Sequence, residues 1–185
     1  MSATLAPFGF QPVWHPTGLD RGIAYTIAST YGTSIYKYDP VLLNTNGTIT
    51  IGGTTGDLLG VFNGVEYTDA TGKPTWSNYW PAATTATAIT AWVWVDPQIV
   101  YQVQANGTVA STAVGDQANT GTYAGSTSTG LSATPLSSSL AGNGVQAQWR
   151  IVGLAPYADN AWGDAYTVLW VQIAQQQYTS NKVAV

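Results

Sequence analysis

The chain has 185 residues and no cysteine, and only 8% of its residues are charged, against about a quarter in an ordinary soluble domain. That length supports a core without metal or disulfide, and the missing thiols exclude disulfide scaffolds, zinc–thiolate sites, iron–sulfur clusters and thiol catalysis. The five basic residues, Arg21, Lys37, Lys73, Arg150 and Lys182, are scattered, so the electrostatic footprint of a nucleic-acid or anionic-membrane binder is missing.

Residues 1–20 carry Pro7, Pro12 and Pro16, and each pushes its predecessor toward extended backbone. An extended N-terminal arm is expected here, with Phe8, Phe10 and Trp14 as apolar anchors and His15 beside them. Its first residues show neither a basic leader nor an apolar signal core, so the expectation is a protein made in a cytoplasm and not exported by the standard route. Residues 21–174 are expected to form a single β domain, because Thr, Val, Ile, Tyr and Trp abound while Glu, Lys and Arg are nearly absent. Thr90–Asp96 reads as a central strand, and Tyr101–Gln104 alternates apolar residues with Gln. Asn-Gly pairs at 46–47, 63–64, 106–107 and 143–144 read as hairpin turns. Residues 111–145 are poor in large apolar side chains and read as an irregular Ser/Thr/Gly-rich excursion with room for short strands near Gly121–Ser132. Strand patterns return at Gln146–Val152 and Thr167–Ile173, and 175–185 reads as a polar C-terminal tail. No internal repeat stands out. The fold class is therefore all-β: an antiparallel β-sandwich or barrel with an extended N-terminal arm and one loop excursion.

Signals for chemistry are weak. His15 is the only imidazole; with Asp20 close in sequence it could be a base, but an arm residue beside Pro16 is poorly held for that task. Asp57 with Glu66, and Asp159 with Asp164, could be carboxylate pairs of a glycosidase. Asp159–Asp164 also loosely resembles a calcium loop without EF-hand spacing. Gly142–Ala147 matches G-x-G-x-x-A by letter, but a strand pattern follows where a dinucleotide site needs a helix. No catalytic residue, metal site or cofactor is expected. Trp76, Tyr79 and Trp80 form an aromatic cluster that suits an interface, a core or a platform for sugar rings.

Several segments, in order, carry a family resemblance. They are APFGFQPVWHPTG (Ala6–Gly18), Tyr38-Asp39-Pro40-Val41, Gly60-Val61-Phe62-Asn63-Gly64-Val65-Glu66-Tyr67, Asp69-Ala70 with Gly72, Trp80-Pro81-Ala82 and Asp96-Pro97. Over residues 6–105 the chain resembles a group of tailed-phage virion proteins labelled capsid decoration (cement) or structural proteins. The resemblance implies a place on the virion, at the outer capsid surface, with the major capsid protein and further copies of the chain as partners. A homotrimer would be the expected form, with no nucleic acid, no membrane and no catalytic residues involved. A neutral surface rich in hydroxyls and rings agrees, since it is cheaply desolvated when covered by neighbours. On this reading Phe8, Phe10, Trp14 and His15 make intersubunit contacts, and Trp76, Tyr79 and Trp80 form an interface or exposed patch. The alternatives are a carbohydrate-binding or adhesion module with glycan as partner, and a tail-tube or head–tail connector protein.

Overall fold

The structure is a computed structural model that describes residues 2–18, 21–142 and 144–179. Its strands are β1 (Gln11–Trp14), β2 (Gly22–Tyr25), β3 (Ile35–Tyr36), β4 (Pro40–Leu43), β5 (Ile49–Ile51), β6 (Gly60–Asp69), β7 (Pro74–Ser77), β8 (Tyr79–Trp80), β9 (Ala86–Trp94) and β10 (Val100–Gln104). They continue with β11 (Gln117–Thr120), β12 (Gly125–Ser126), β13 (Leu131–Ser132), β14 (Leu136–Leu140), β15 (Trp149–Leu154) and β16 (Val168–Ile173). All paired strands are antiparallel, in two large sheets and two short ribbons packed in a sandwich-like arrangement. The all-β expectation is met.

The two large sheets repeat one topology. The first runs β2-β9-β6-β4-β5, with β7 added on β6; the second runs β10-β16-β15-β11-β14, with β1 added on β10. Numbered within each half, both orders read first, fifth, fourth, second, third strand. Each sheet curls until its third strand meets the end of its first through one parallel bridge, Thr26 with Thr48 and Ala105 with Leu136. The result is two small barrels.

The match extends to register. Phe62 pairs with Val93 before a bulge, then Gly64 with Trp92 and Val65 with Ala91. In the second half Ile151 pairs with Val171 before a bulge, then Gly153 with Trp170 and Leu154 with Leu169. Phe62 N–H bonds the Asp39 carbonyl at 2.9 Å, as Ile151 N–H bonds that of Asp116 at 2.9 Å. The residue before each aspartate has a positive φ, 78° at Tyr38 and 93° at Gly115. The chain is thus an internal duplication, spanning about 22–95 and 100–173. It escapes a sequence search because most shared positions only need to be apolar; a few echoes survive, such as Trp92-Val93 against Trp170-Val171.

Each barrel has its own core. Val41, Ile49, Phe62, Val65, Ala91 and Val93 fill the first, and Ile35 and Trp80 of the β3–β8 ribbon join them. Tyr101, Val103, Leu136, Trp149, Ile151 and Val171 fill the second. Val61 and Trp94 point the other way from the first barrel and join that second cluster, which welds the halves together.

Three expected segments are built differently. The arm does not extend away from the chain: β1 pairs with β10, and Phe10 is fully buried, stacked on Trp149 at 4.1 Å. An apolar anchor that finds a ring to stack on inside its own chain is worth more there than in water. The 111–145 excursion supplies two barrel strands, β11 and β14, whose small residues suit a tightly curled wall. The tail begins by bonding the first half, with Leu58 N–H to Gln175 and Gln177 N–H to Leu58 carbonyls, both 2.9 Å; residues 180–185 lie outside the described residues. Asn63-Gly64 is a strand bulge rather than a turn, with Gly64 at φ 151°. Asn143-Gly144 falls partly outside the described residues.

Candidate interaction surface

The seven residues singled out from sequence do not converge. Phe10 and Trp80 are fully buried and can touch no partner. Phe8 is half-buried. Tyr79 is half-buried and stacks on Tyr36 at 5.5 Å, while Trp80 meets the edge of Tyr67 at 5.4 Å. Trp14 and Trp76 remain exposed, at 55% and 61%. The aromatic cluster of 76–80 therefore divides: the strand breaks at Asn78, so Trp76 stays exposed on β7 beside β6 while β8 joins β3 and buries Trp80.

His15 follows β1 and reaches across to the connection between the two halves. Its Nε2 lies 3.1 Å from Asp96 Oδ2. Its Nδ1 accepts the Thr17 N–H at 3.2 Å and faces Thr17 Oγ at 2.9 Å. The backbone donor at Nδ1 leaves Nε2 to carry the proton of the neutral ring, near Asp96 but without an aligned hydrogen bond. The lone pair that a base would use is already engaged by the chain's own turn, so the trio fastens a loop rather than activating a hydroxyl. The partner is Asp96; Asp20 lies outside the described residues.

Around this fastening the surface is apolar. A cleft of about 500 Å³ is lined by His15, Arg21, Ile23, Val95, Asp96 and Tyr178. Ile23 is 49% exposed, although it pairs with Val93 on the core-facing side of β9. It is exposed because the barrel wall is open there. Tyr178, 54% exposed, touches Tyr25 hydroxyl to hydroxyl at 3.3 Å. A second cleft beside Trp14 shares His15 as a wall. Ile23 and Tyr178 thus rim one region whose two formal charges among the described residues, Arg21 and Asp96, are opposite in sign, and Trp14 lines the neighbouring cleft. Ile23, Asp96 and Tyr178 were not foreseen. The only sequence signal for them was Gly22–Tyr25, a strand pattern with neither charge nor proline.

Trp76 belongs to a finger that the first half has and the second lacks. β6 and β9 run 10 and 9 residues, against 6 each for β15 and β16, and β7 lies on β6. Trp76 pairs with Glu66, which pairs on its other side with Thr90. These residues line an open groove of about 520 Å³. Ala88 in its wall holds a positive φ of 49° next to a bulge, so the local backbone is shaped and not regular strand.

Of the two expected carboxylate pairs, Asp57 with Glu66 does not assemble, whereas Asp159 and Asp164 lie close enough to feel each other's charge. Gly60 to Glu66 is extended strand and spans about 20 Å, so Asp57 and Glu66 stand too far apart for a glycosidase pair. Asp164 accepts the Ser2 hydroxyl at 2.6 Å and the Ala161 N–H at 2.7 Å, which hold its carboxyl below the usual range. It ties down the N-terminal segment. Among the described residues no group of three or more metal-ligating side chains occurs. The most perturbed carboxyl is Asp39, fully buried. Burial pushes it from 3.8 up to about 6, against the opposing pull of donors from Ser132, Tyr36 and Thr134 at 2.6, 2.8 and 2.9 Å. Its two hydroxyl donors come from the other half, so Asp39 acts as a clamp between halves.

Comparison with known proteins finds no family model, no curated protein and no solved structure that matches the chain.

Proposed function

We propose that the protein is a non-enzymatic virion structural protein that binds the outer surface of a tailed-phage capsid and cements neighbouring capsomers, as a homotrimer contacting the major capsid protein. One observation carries this reading most: a surface with very few charges gathers Ile23 and Tyr178 around one open cleft, with the exposed Trp14 in the neighbouring cleft across His15. Such a surface loses little on desolvation and gains apolar contact when covered. The ordered segment resemblance over residues 6–105 points the same way. A shell under genome pressure needs many modest contacts acting together, which symmetric decoration supplies.

The test is co-sedimentation of the purified chain with expanded capsid shells of its phage that lack decoration. Saturable binding, with shells that then withstand more heat, is the expected result. A chain that stays in the supernatant at every concentration ends the proposal. A second reading, glycan adhesion, is favoured by the exposed Trp76 beside Glu66. A glycan array separates the two: binding that Trp76→Ala abolishes supports adhesion, and Trp80 is unsuitable as the probe because it is buried.

A further inference from the structure

The duplication exposes a difference between the halves. In the second half, β1 lies along the outer edge of the first strand, pairing Gln11 with Gln102 and Pro12 with Tyr101. It fills part of the gap where that strand and the third strand diverge. The equivalent strand in the first half is β2, since Ile23 pairs with Val93 as Tyr101 pairs with Val171. Gly22–Tyr25 pair with β9 on one side. On the other side, among the described residues, the only bridge is Thr26 with Thr48, beyond the end of the strand. One edge is covered and its counterpart is bare.

We propose that the bare β2 edge is a pairing site for a second copy of this chain, joined β2 to β2 in antiparallel fashion about a two-fold axis. Free strand edges invite pairing unless charge, proline or a bulge deters it. β1 carries Pro12, and β7 carries Pro74 next to Lys73. β2 is Gly-Ile-Ala-Tyr and carries neither proline nor charge within the strand, its one flanking charge being Arg21.

The second copy is the fitting occupant because the strand and its surroundings are self-complementary. With the axis at Ile23, Ile23 faces its own copy, Gly22 faces Ala24 and Arg21 faces Tyr25. No like charges oppose each other. The nearby Arg21 and Asp96 balance, so two identical patches do not repel, although the chain as a whole carries a net charge of −4. The exposed Ile23 and Tyr178 flank the edge and would be covered in the same contact. This two-fold contact is separate from the three-fold contact of the capsid reading, would pair two such trimers where they form, and does not depend on that reading.

The experiment uses the full chain without capsids. Native mass spectrometry and light scattering are run on the wild type, Ala24→Lys and Ile23→Lys, with melting curves as a folding control. Hydrogen exchange of residues 22–25 is followed in the wild type across a dilution series. The expected result is a native species whose mass each lysine variant halves at nearly unchanged melting temperature. The amides of 22–25 should exchange at least tenfold faster on dilution. A wild type that is monomeric throughout, a mass indifferent to both substitutions, or exchange at 22–25 that ignores concentration would overturn the proposal. The exchange measurement stands even if a variant fails to fold.

Discussion

At the scale of single residues, Asp39 and Phe10 decide most. Asp39 is an acid whose folded pKa is raised from 3.8 to about 6. Between those values the folded chain keeps a proton that the unfolded chain has released. Its stabilising contribution is therefore complete below about pH 4, falls as pH rises toward 6, and stays low above that. A shift of that size corresponds to on the order of 3 kcal/mol. Asp39→Asn should flatten the decline. Melting temperatures of both proteins from pH 4 to pH 7 check this, and equal slopes would refute the clamp as described. Phe10 stacks on Trp149 at 4.1 Å with no exposure. Phe10→Ala should cost about 3–5 kcal/mol by urea titration, whereas Trp14→Ala, at an exposed position, should cost far less.

At the scale of elements, the turn before each duplicated aspartate is the informative part. Gly115 holds φ +93° and nothing lies near the position of an added Cβ. Gly115→Ala should therefore destabilise by about 1 kcal/mol through backbone strain alone. Tyr38 bears the same strain at φ 78°, and its ring stacks on Trp94 at 6.0 Å. Packing offsets a conformation that an isolated tyrosine would avoid. β1 is the other telling element. Deleting residues 1–14 should expose the β10 edge and the core around Trp149, lowering the melting temperature and promoting aggregation in light scattering. A free arm, by contrast, could be removed without loss.

At the scale of the whole molecule, the halves are fastened by exchanged ends. β1 precedes the first barrel yet pairs with the second, and Gln175–Gln177 follow the second yet bond Leu58 of the first. Gln177 also bonds Leu43 on both sides of its amide, at 2.7 and 2.9 Å. Such interlocking predicts one cooperative transition. Tryptophan fluorescence and far-ultraviolet circular dichroism should give coincident urea curves, and residues 22–97 expressed alone should not fold. Two separated transitions would show independent barrels.

Some of this was legible in the residues alone. Period-two runs such as Thr167–Ile173 and the β-branched composition determined an all-β chain, because strand patterning is local and survives any arrangement of strands. The low charge likewise marked a surface suited to being covered. The cleft was not legible: Ile23, Asp96 and Tyr178 are far apart in sequence and meet only when the first barrel closes incompletely. Nor was Phe10's burial, since proline-rich extended backbone looks the same whether it reaches outward or lies on its own sheet. The duplication stayed hidden because hydrogen-bond register constrains backbone and requires of side chains little beyond apolar character. Sequence determined what kind of strands form. Tertiary structure alone decided which edges they cover and which they leave bare, because pairing between distant strands is a property of the closed sheet and not of any segment within it.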